Sequence, residues 1–212
     1  MKRTTVKNWA EGDSPVILED IHRKEVNIAI YNRDTTSLTN EVNQVLEMGV
    51  TVKLSGEIDA ILHGVAQSIE PRAFPHLTQD IKGLLQHFQQ VTGVTSLRLL
   101  LATVNTNMCR RFHTDANDVR MLCTYSGPGT LWLPEDNVNR EVLASPAGND
   151  SIVLDEDRIQ QAATGSVLLL KGAVYPQEGV QAIVHRSPTL EESGEKRLLL
   201  RVDTNQFLSF MA

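Results

Sequence analysis

Cysteine is nearly absent from this chain: among 212 residues only Cys109 and Cys123 occur. Neither belongs to a C-x-x-C pair or a zinc-finger spacing, which excludes a disulfide framework or a cysteine-based zinc module. Both are expected as reduced thiols filling small apolar spaces; because they flank the segment around His113, a supplementary ligand role is the alternative. A basic surplus is missing too. Twenty Lys and Arg stand against 26 Asp and Glu, a net charge of −6 with a pI near 5.5. Phosphate neutralisation along a nucleic acid needs the opposite balance, so general nucleic-acid binding is not expected, and the pair Arg110-Arg111 is too local to change that. Long apolar runs are lacking as well. Nothing approaches the roughly 18 residues of a membrane span, and Met1-Lys2-Arg3-Thr4-Thr5 leads to polar Lys7-Asn8 rather than to an apolar leader core. A cytoplasmic protein without membrane association is the expectation; no feature speaks to its oligomeric state.

What is present is a 41% apolar chain, long enough for one well-buried domain over residues 1–212. Residues 1–94 read as a mixed, partly helical part. Val26 to Tyr31 reads as a strand, and Thr36-Ser37 offers an N-cap for a helical stripe of Leu38, Val42, Val45 and Leu46 closed by Gly49. A short strand, Val50 to Leu54, follows. A longer helix starts at Pro75, carries Leu77, Ile81, Leu84, Leu85, Phe88 and Val91 on one face, and stops at Gly93. From residue 95 the pattern changes to short apolar segments bounded by turns: Leu97 to Val104, Val119 to Tyr125, Thr130 to Leu133, Ser166 to Leu170, Ala182 to His185 and Leu198 to Val202. Six short strands after two helices predict an α+β protein, an antiparallel jelly-roll over residues 95–212 with the helices packed outside one sheet. The charged stretch 134–161 reads as an inserted loop or lid, with one or two helical turns between Asp155 and Ala163.

The chemistry-bearing pattern is His113-Thr114-Asp115, followed about seventy residues later by His185. Residues two apart on an extended segment project to the same side, so His113 and Asp115 can converge while Thr114 points away. His185 ends a β-branched run that a fold can return to the same place. Two imidazoles and one carboxylate on one face of an octahedral ion leave positions open for a co-substrate and dioxygen, the design of non-heme Fe(II) oxygenases. By spacing alone the other histidines, His22, His63, His76 and His87, offer no ligand set and read as surface or helix-face residues.

Arg120-Met121-Leu122-Cys123-Thr124-Tyr125, then Gly127-Pro128-Gly129-Thr130-Leu131-Trp132-Leu133-Pro134, Lys171-Gly172 and His185-Arg186-Ser187-Pro188 together resemble the bacterial family catalogued as domain of unknown function 1826. That resemblance is densest from Leu97 to Asp203 and implies no established activity. More widely, the order of segments is similar to the Fe(II)/2-oxoglutarate dioxygenases of double-stranded β-helix (jelly-roll, cupin-like) fold: helices, a strand, H-x-D, a Gly-containing turn before Trp132, the strand Gly165 to Leu170, the distal His and an Arg-bearing final strand. The resemblance implies Fe(II) held by His113, Asp115 and His185, and 2-oxoglutarate as co-substrate.

In that family an Arg or Lys beyond the distal His grips the far carboxylate of 2-oxoglutarate, a planar fork on a planar anion. Arg197 is the best match, with Arg201 on the same strand face. The usual hydroxyl residue two positions after that Arg is Leu199 here, a departure that bears on 2-oxoglutarate itself. The alternative arrangement has Leu198, Leu200 and Val202 facing the core while both arginines face water. Arg120 is a candidate for orienting a ligand or co-substrate carboxylate, or else a solvent-side ion-pair partner; Tyr125 for a hydrogen bond to the co-substrate, or else a half-buried strand tyrosine. Trp132 is expected to pack. Arg186 and Ser187 would support the distal imidazole or simply begin a turn. The substrate, small or macromolecular, has no sequence signature. The rival function is a cupin-like protein that binds Zn(II) or iron through the same three ligands without oxygenase turnover.

Overall fold

A computed structural model describes residues 7–146 and 148–204. The chain begins with a short strand β1 (Trp9–Gly12), a 3-10 segment Pro15–His22 and β2 (Ile28–Tyr31). A 3-10 turn then runs into α1 (Thr39–Met48), followed by β3 (Thr51–Gly56), α2 (Ile58–Ser68) and α3 (Pro75–Thr92). The rest is mostly extended: β4 (Leu97–Val104), β5 (Val119–Ser126), β6 (Leu131–Trp132), the one-turn helix α4 (Asn149–Ile152), β7 (Gln160–Gln161), β8 (Val167–Lys171), β9 (His185–Arg186) and β10 (Arg197–Thr204). Seven strands form one sheet in the order β1-β2-β8-β5-β10-β4-β3, and three form a second in the order β7-β6-β9. Every pairing is antiparallel except β1 with β2.

The strand sequences look continuously apolar because both faces of the large sheet are covered. Leu97, Leu99 and Leu101 of β4, Met121 and Cys123 of β5, Val167 and Leu169 of β8, and Leu198, Leu200 and Val202 of β10 share one apolar cluster with Val42 and Val45 of α1, Ile61 and Val65 of α2, and Leu77, Ile81, Leu85 and Phe88 of α3. The alternate residues Leu100, Ala102, Leu122, Leu168, Leu170 and Leu199 form a second cluster with Trp132 of the small sheet. One face therefore meets helices and the other meets a second sheet, which is the layered solution for burying a two-sided apolar sheet. Buried side chains of this size contribute roughly 1.5–3 kcal/mol each.

Some expectations are corrected by the fold. The start of α1 does not use Thr36-Ser37 as its cap: Asp34 Oδ1 accepts from Thr36 N at 2.8 Å and opens a 3-10 turn over Thr36–Leu38 instead. Helix α2 was not anticipated, although Ile58, Ile61 and Val65 are spaced at helical period and buried. Gly49 and Gly93 close α1 and α3 in the left-handed conformation, φ 69° and 71°, as their positions predict. The expected strand Ala182 to His185 survives only at His185–Arg186; Ile183 N and Val184 O still bond Lys171 O and Leu133 N. Among the described residues no helix is long and apolar enough to cross a membrane.

The stretch 134–161 holds several short elements. It carries 3-10 turns at Glu135–Asn137, Arg140–Val142 and Glu156–Arg158 besides α4 and β7, and its Val138, Ile152 and Val153 pack with Phe112, Leu133 and Val184 into a third apolar cluster. Phe112 and Val184 immediately precede His113 and His185. On an extended chain that places the two imidazoles on the opposite side from this small core, toward the space between the sheets.

Candidate metal centre

The two histidines are joined through their backbones. His113 N donates to His185 O and His185 N to His113 O, both at 3.0 Å, an isolated antiparallel bridge that continues the small sheet beyond β9. Facing residues of such a pair project to one side, so the rings come together, with centroids 4.7 Å apart. Asp115 reaches the same point: its Oδ1 lies 3.7 Å from His113 Nε2 and its Oδ2 3.4 Å from His185 Nε2. One ligand atom from each of the three side chains falls within 4.8 Å of the others, and among the described residues no other trio of His, Cys, Asp or Glu does so.

The proton positions suit a cation. His113 Nδ1 donates to Arg111 O at 2.9 Å, which leaves the Nε2 lone pair directed at Asp115 and His185. The Asp115 carboxylate beside Nε2 raises the His113 pKa above its ordinary value, against burial and the charge of Arg120. Burial pushes His185 down to about 4, so it is neutral at physiological pH. Burial works against the charged form of Asp115, but the neighbouring His113 and His185 imidazoles and the Arg120 guanidinium outweigh it and hold the carboxyl at about 2. A divalent ion takes neutral imidazole and ionised carboxylate as ligands, so His185 and Asp115 already hold the required form while His113 gives up its proton on binding. Asp115 Oδ2 is buried and lacks a hydrogen-bond partner. A buried anionic oxygen left unpaired is costly, and a metal ion at the meeting point of the three donors would satisfy it.

Arg120 holds the other carboxylate oxygen. Its Nη1 lies 2.5 Å from Asp115 Oδ1 and its Nε 2.6 Å from Asp203 Oδ1, which also accepts from Asn117 Nδ2 at 3.0 Å. The loop carrying Asp115 is tied to the turn after β8 through Gly172 N to Asp118 O and Ala173 N to Asp115 O, both 2.7 Å. Gly172 has no substitute in this contact, because a Cβ there would sit 2.0 Å from Asn117 O. From behind, the insertion clamps the ligand segment: Arg111 Nη2 donates to the carbonyls of Val142, Leu143 and Ser145, and Asn149 bonds Phe112 N and Arg110 O at 2.8 Å each.

Arg197 is buried on the inter-sheet face, 2% exposed, so the arrangement with that arginine in water does not hold. Its Nε and Nη2 donate to Thr124 Oγ1 at 3.0 and 2.6 Å, and Nη2 to Thr130 Oγ1 at 2.8 Å. Among the described residues no carboxylate lies within ion-pairing distance of it, and burial lowers its pKa to about 10. Thr130 stands two residues before Trp132, the ladder partner of His185, so the hydroxyl that this guanidinium bonds is carried about 7 Å of chain from the strand position facing His185.

The other sequence candidates are placed differently. Arg201 is partly exposed and 3.2 Å from Asp203 Oδ2. Tyr125 lies in the helix-side cluster, on the opposite face of the sheet from the imidazoles, and donates to Asp80 Oδ2 at 2.6 Å, so it is not brought to the site. Trp132 packs on Trp9, ring centroids 5.4 Å apart. Arg186 stacks over Phe112, 5.1 Å from the ring centroid, and Ser187 N bonds Cys109 O. Buried Cys123, its thiol pushed up to about 11 by burial, bonds Arg33 on the helix side, while Cys109 is exposed. His22, His63, His76 and His87 bond Val91 O, Gln67, Glu41 and Pro15 O. Asp203, Asn117, Thr124 and Thr130 were missed. The parity of β10 carried a signal for Asp203, which shares a face with Arg197 and Arg201.

The architecture has counterparts among solved structures. The dioxygenase for auxin oxidation from rice superposes with a TM-score of 0.51 at 10% identity, over 93% of this chain and 82% of that one. Dioxygenase for auxin oxidation 1 from Arabidopsis thaliana, in its 2-oxoglutarate complex, gives 0.49 at 9% identity, over 93% and 92%. The Fe(II)/α-ketoglutarate-dependent dioxygenase TqaL gives 0.44 at 14%, over 80% and 74%. At these identities the likeness is one of fold, carried by the rice enzyme. No curated protein matches the sequence. A family model described as protein of unknown function DUF1826 matches residues 12–203, a span that takes in the helices, both sheets, the insertion and all three clustered side chains, and the chain belongs to that family.

Proposed function

We propose that this protein is a non-heme Fe(II)- and 2-oxoglutarate-dependent oxygenase. The observation that carries the reading is the convergence of His113, Asp115 and His185 with Asp115 Oδ2 buried and unpartnered. His113 and His185 would bind through Nε2 and Asp115 through Oδ2, while Arg120 keeps Oδ1 engaged and fixes the carboxylate's orientation. Arg197 would grip the far carboxylate of 2-oxoglutarate: it is a buried cation on the inter-sheet face, and among the described residues it has no anionic partner. The hydroxyl residue expected two positions after this Arg is Leu199 here, and Leu199 pairs across the ladder with Thr124, whose hydroxyl accepts from the guanidinium. Bound there, Fe(II) supplies the redox chemistry by which dioxygen converts 2-oxoglutarate to succinate and carbon dioxide while hydroxylating a C–H bond. The protein's own part is to orient the diacid between Arg197 and the metal and to exclude water with Trp132, Leu122 and Leu199.

The test is anaerobic loading of untagged protein with Fe(II) and 2-oxoglutarate, followed by admission of oxygen. Succinate should appear, and should be lost in His113→Ala and Arg197→Ala. A protein that binds one equivalent of Zn(II) or Fe(II) through the three residues yet releases no succinate would instead be a metal-binding protein of cupin type.

A further inference from the structure

The inter-sheet face continues past the metal centre as a row fixed by strand register. Arg120 of β5 pairs with Asp203 of β10, Asp203 with Arg98 of β4, and Arg98 with Ser55 of β3. The next row in the same direction is Leu122, Arg201, Leu100 and Lys53. Paired residues share a face, so Lys53, Arg98 and Arg201 sit together beside Asp203, and they line a groove of about 290 Å³. Among the described residues the one carboxylate lining it is already engaged: Asp203 Oδ1 accepts from Arg120 and Asn117. Among the described residues neither Lys53 nor Arg98 has a carboxylate within ion-pairing distance. The Nε atoms of Arg98 and Arg201 are both buried without a hydrogen-bond partner, although Arg201 Nε lies 3.2 Å from Asp203 Oδ2, and Arg98 Nη2 makes one long bond of 3.5 Å to Thr204 O. Buried donors of this kind are normally satisfied. Three cations against one shared carboxylate, in a protein of net charge −6, make a local field that draws an anion toward one end of the site.

We propose that this groove is the substrate's anion subsite, and that the substrate of the metal centre is a small molecule carrying a phosphate group. This rests on the oxygenase reading above. The charge surplus matches a dianion better than a carboxylate, and two guanidiniums offer forked donors to phosphate oxygens. Arg98 lies two strands from Arg120, which grips a metal ligand, so the phosphate would sit about 10 Å from that ligand's partner. The carbon to be oxidised is several bonds from the phosphate, and the group acts as a handle.

Inorganic phosphate is the probe, with Mn(II) in the metal site. Calorimetry on wild-type protein should give saturable binding, weakened about ten- to a hundredfold in Arg98→Gln and in Arg201→Gln, the loss of a charged hydrogen bond, with Mn(II) affinity and Tm unchanged. Phosphorus relaxation of the bound ion should be enhanced by Mn(II) in wild type and not in His113→Ala. Absence of saturable binding, binding by the two variants as tight as by wild type, or relaxation indifferent to Mn(II) overturns the inference. Phosphate held by the two arginines in a wild-type protein that binds no metal overturns the oxygenase reading and with it the substrate role, so the two failures are told apart.

Discussion

Replacing Arg197 with Met should make the metal-free protein more stable while destroying its capacity for 2-oxoglutarate. The fall of the guanidinium pKa from the ordinary arginine value to about 10 corresponds to roughly 3 kcal/mol of unfavourable charge burial at neutral pH. Met fills similar volume without the charge. Against this, Thr124 and Thr130, both buried, lose the donors to their hydroxyl oxygens at about 1 kcal/mol each. The net is a gain of about 1 kcal/mol, a Tm rise of roughly 2–4 °C for a chain of this size. Buried ions without partners commonly behave this way on replacement by apolar groups. The assay is thermal unfolding of metal-free wild type and variant, repeated with Mn(II) and excess 2-oxoglutarate. Wild type should gain stability from the diacid by mass action and the variant should not. A variant that is less stable without ligand and still stabilised by 2-oxoglutarate would refute both the charge-burial argument and the assignment of Arg197.

Metal affinity should fall as one proton below neutrality: His113, whose pKa is raised, is the group that must deprotonate, whereas His185 at about 4 and Asp115 at about 2 are already free. Cobalt titrations should therefore lose about tenfold per pH unit between pH 5 and 6, and a hundredfold loss would show two competing protons. Lys171 is fully buried, donates to Arg23 O at 2.7 Å and has a pKa lowered by burial to about 8. Between that value and the ordinary 10.5 the unfolded chain keeps a proton the folded one lacks, so stability rises with pH through this window; denaturant unfolding of wild type at pH 7.5 and 9.5 should show the rise, and Lys171→Met should lack it. Gly172→Ala should cost about 1–3 kcal/mol by overpacking against Asn117, and should weaken cobalt binding by shifting the loop that carries Asp115; unchanged affinity in the folded variant would remove that loop from the account of the site.

The H-x-D pair and the distal imidazole were legible because strand parity is a local property: two residues apart means the same side wherever the strand ends up. Strand β4 was read to its ends, since apolar side chains are demanded on both faces. Arg197 was not decidable in the same way. Parity separates it from Leu198 and Leu200, but an odd face can meet water or a second sheet, and only the packing of Trp132 and Thr130 over β10 settles which. The two alternatives for Tyr125 stayed open for the converse reason: its parity matches Met121 and Cys123, which turn to the helices, and that fact depends on which face α3 covers. The support from Asp203 lies in pairing between β5 and β10, a long-range register that no window of sequence contains. Helix α2 is not among the expected elements although Ile58, Ile61 and Val65 recur at helical period; inside it Gly64 leaves room for Leu54, whose side chain would lie 2.5 Å from a Cβ there.

The reciprocal backbone bridge between His113 and His185 makes the centre an all-or-none construction. Sliding either segment by a single residue would swing its imidazole into the oily satellite layer and bring Phe112 or Val184 inward, since alternation leaves no intermediate setting. Length changes in the connections on either side of the bridge are harmless when absorbed in the surface turns and ruinous when they reach the pairing. The donors are therefore indexed by main-chain ratchet rather than by side-chain fit, and a cation arriving there finds its cradle already cut.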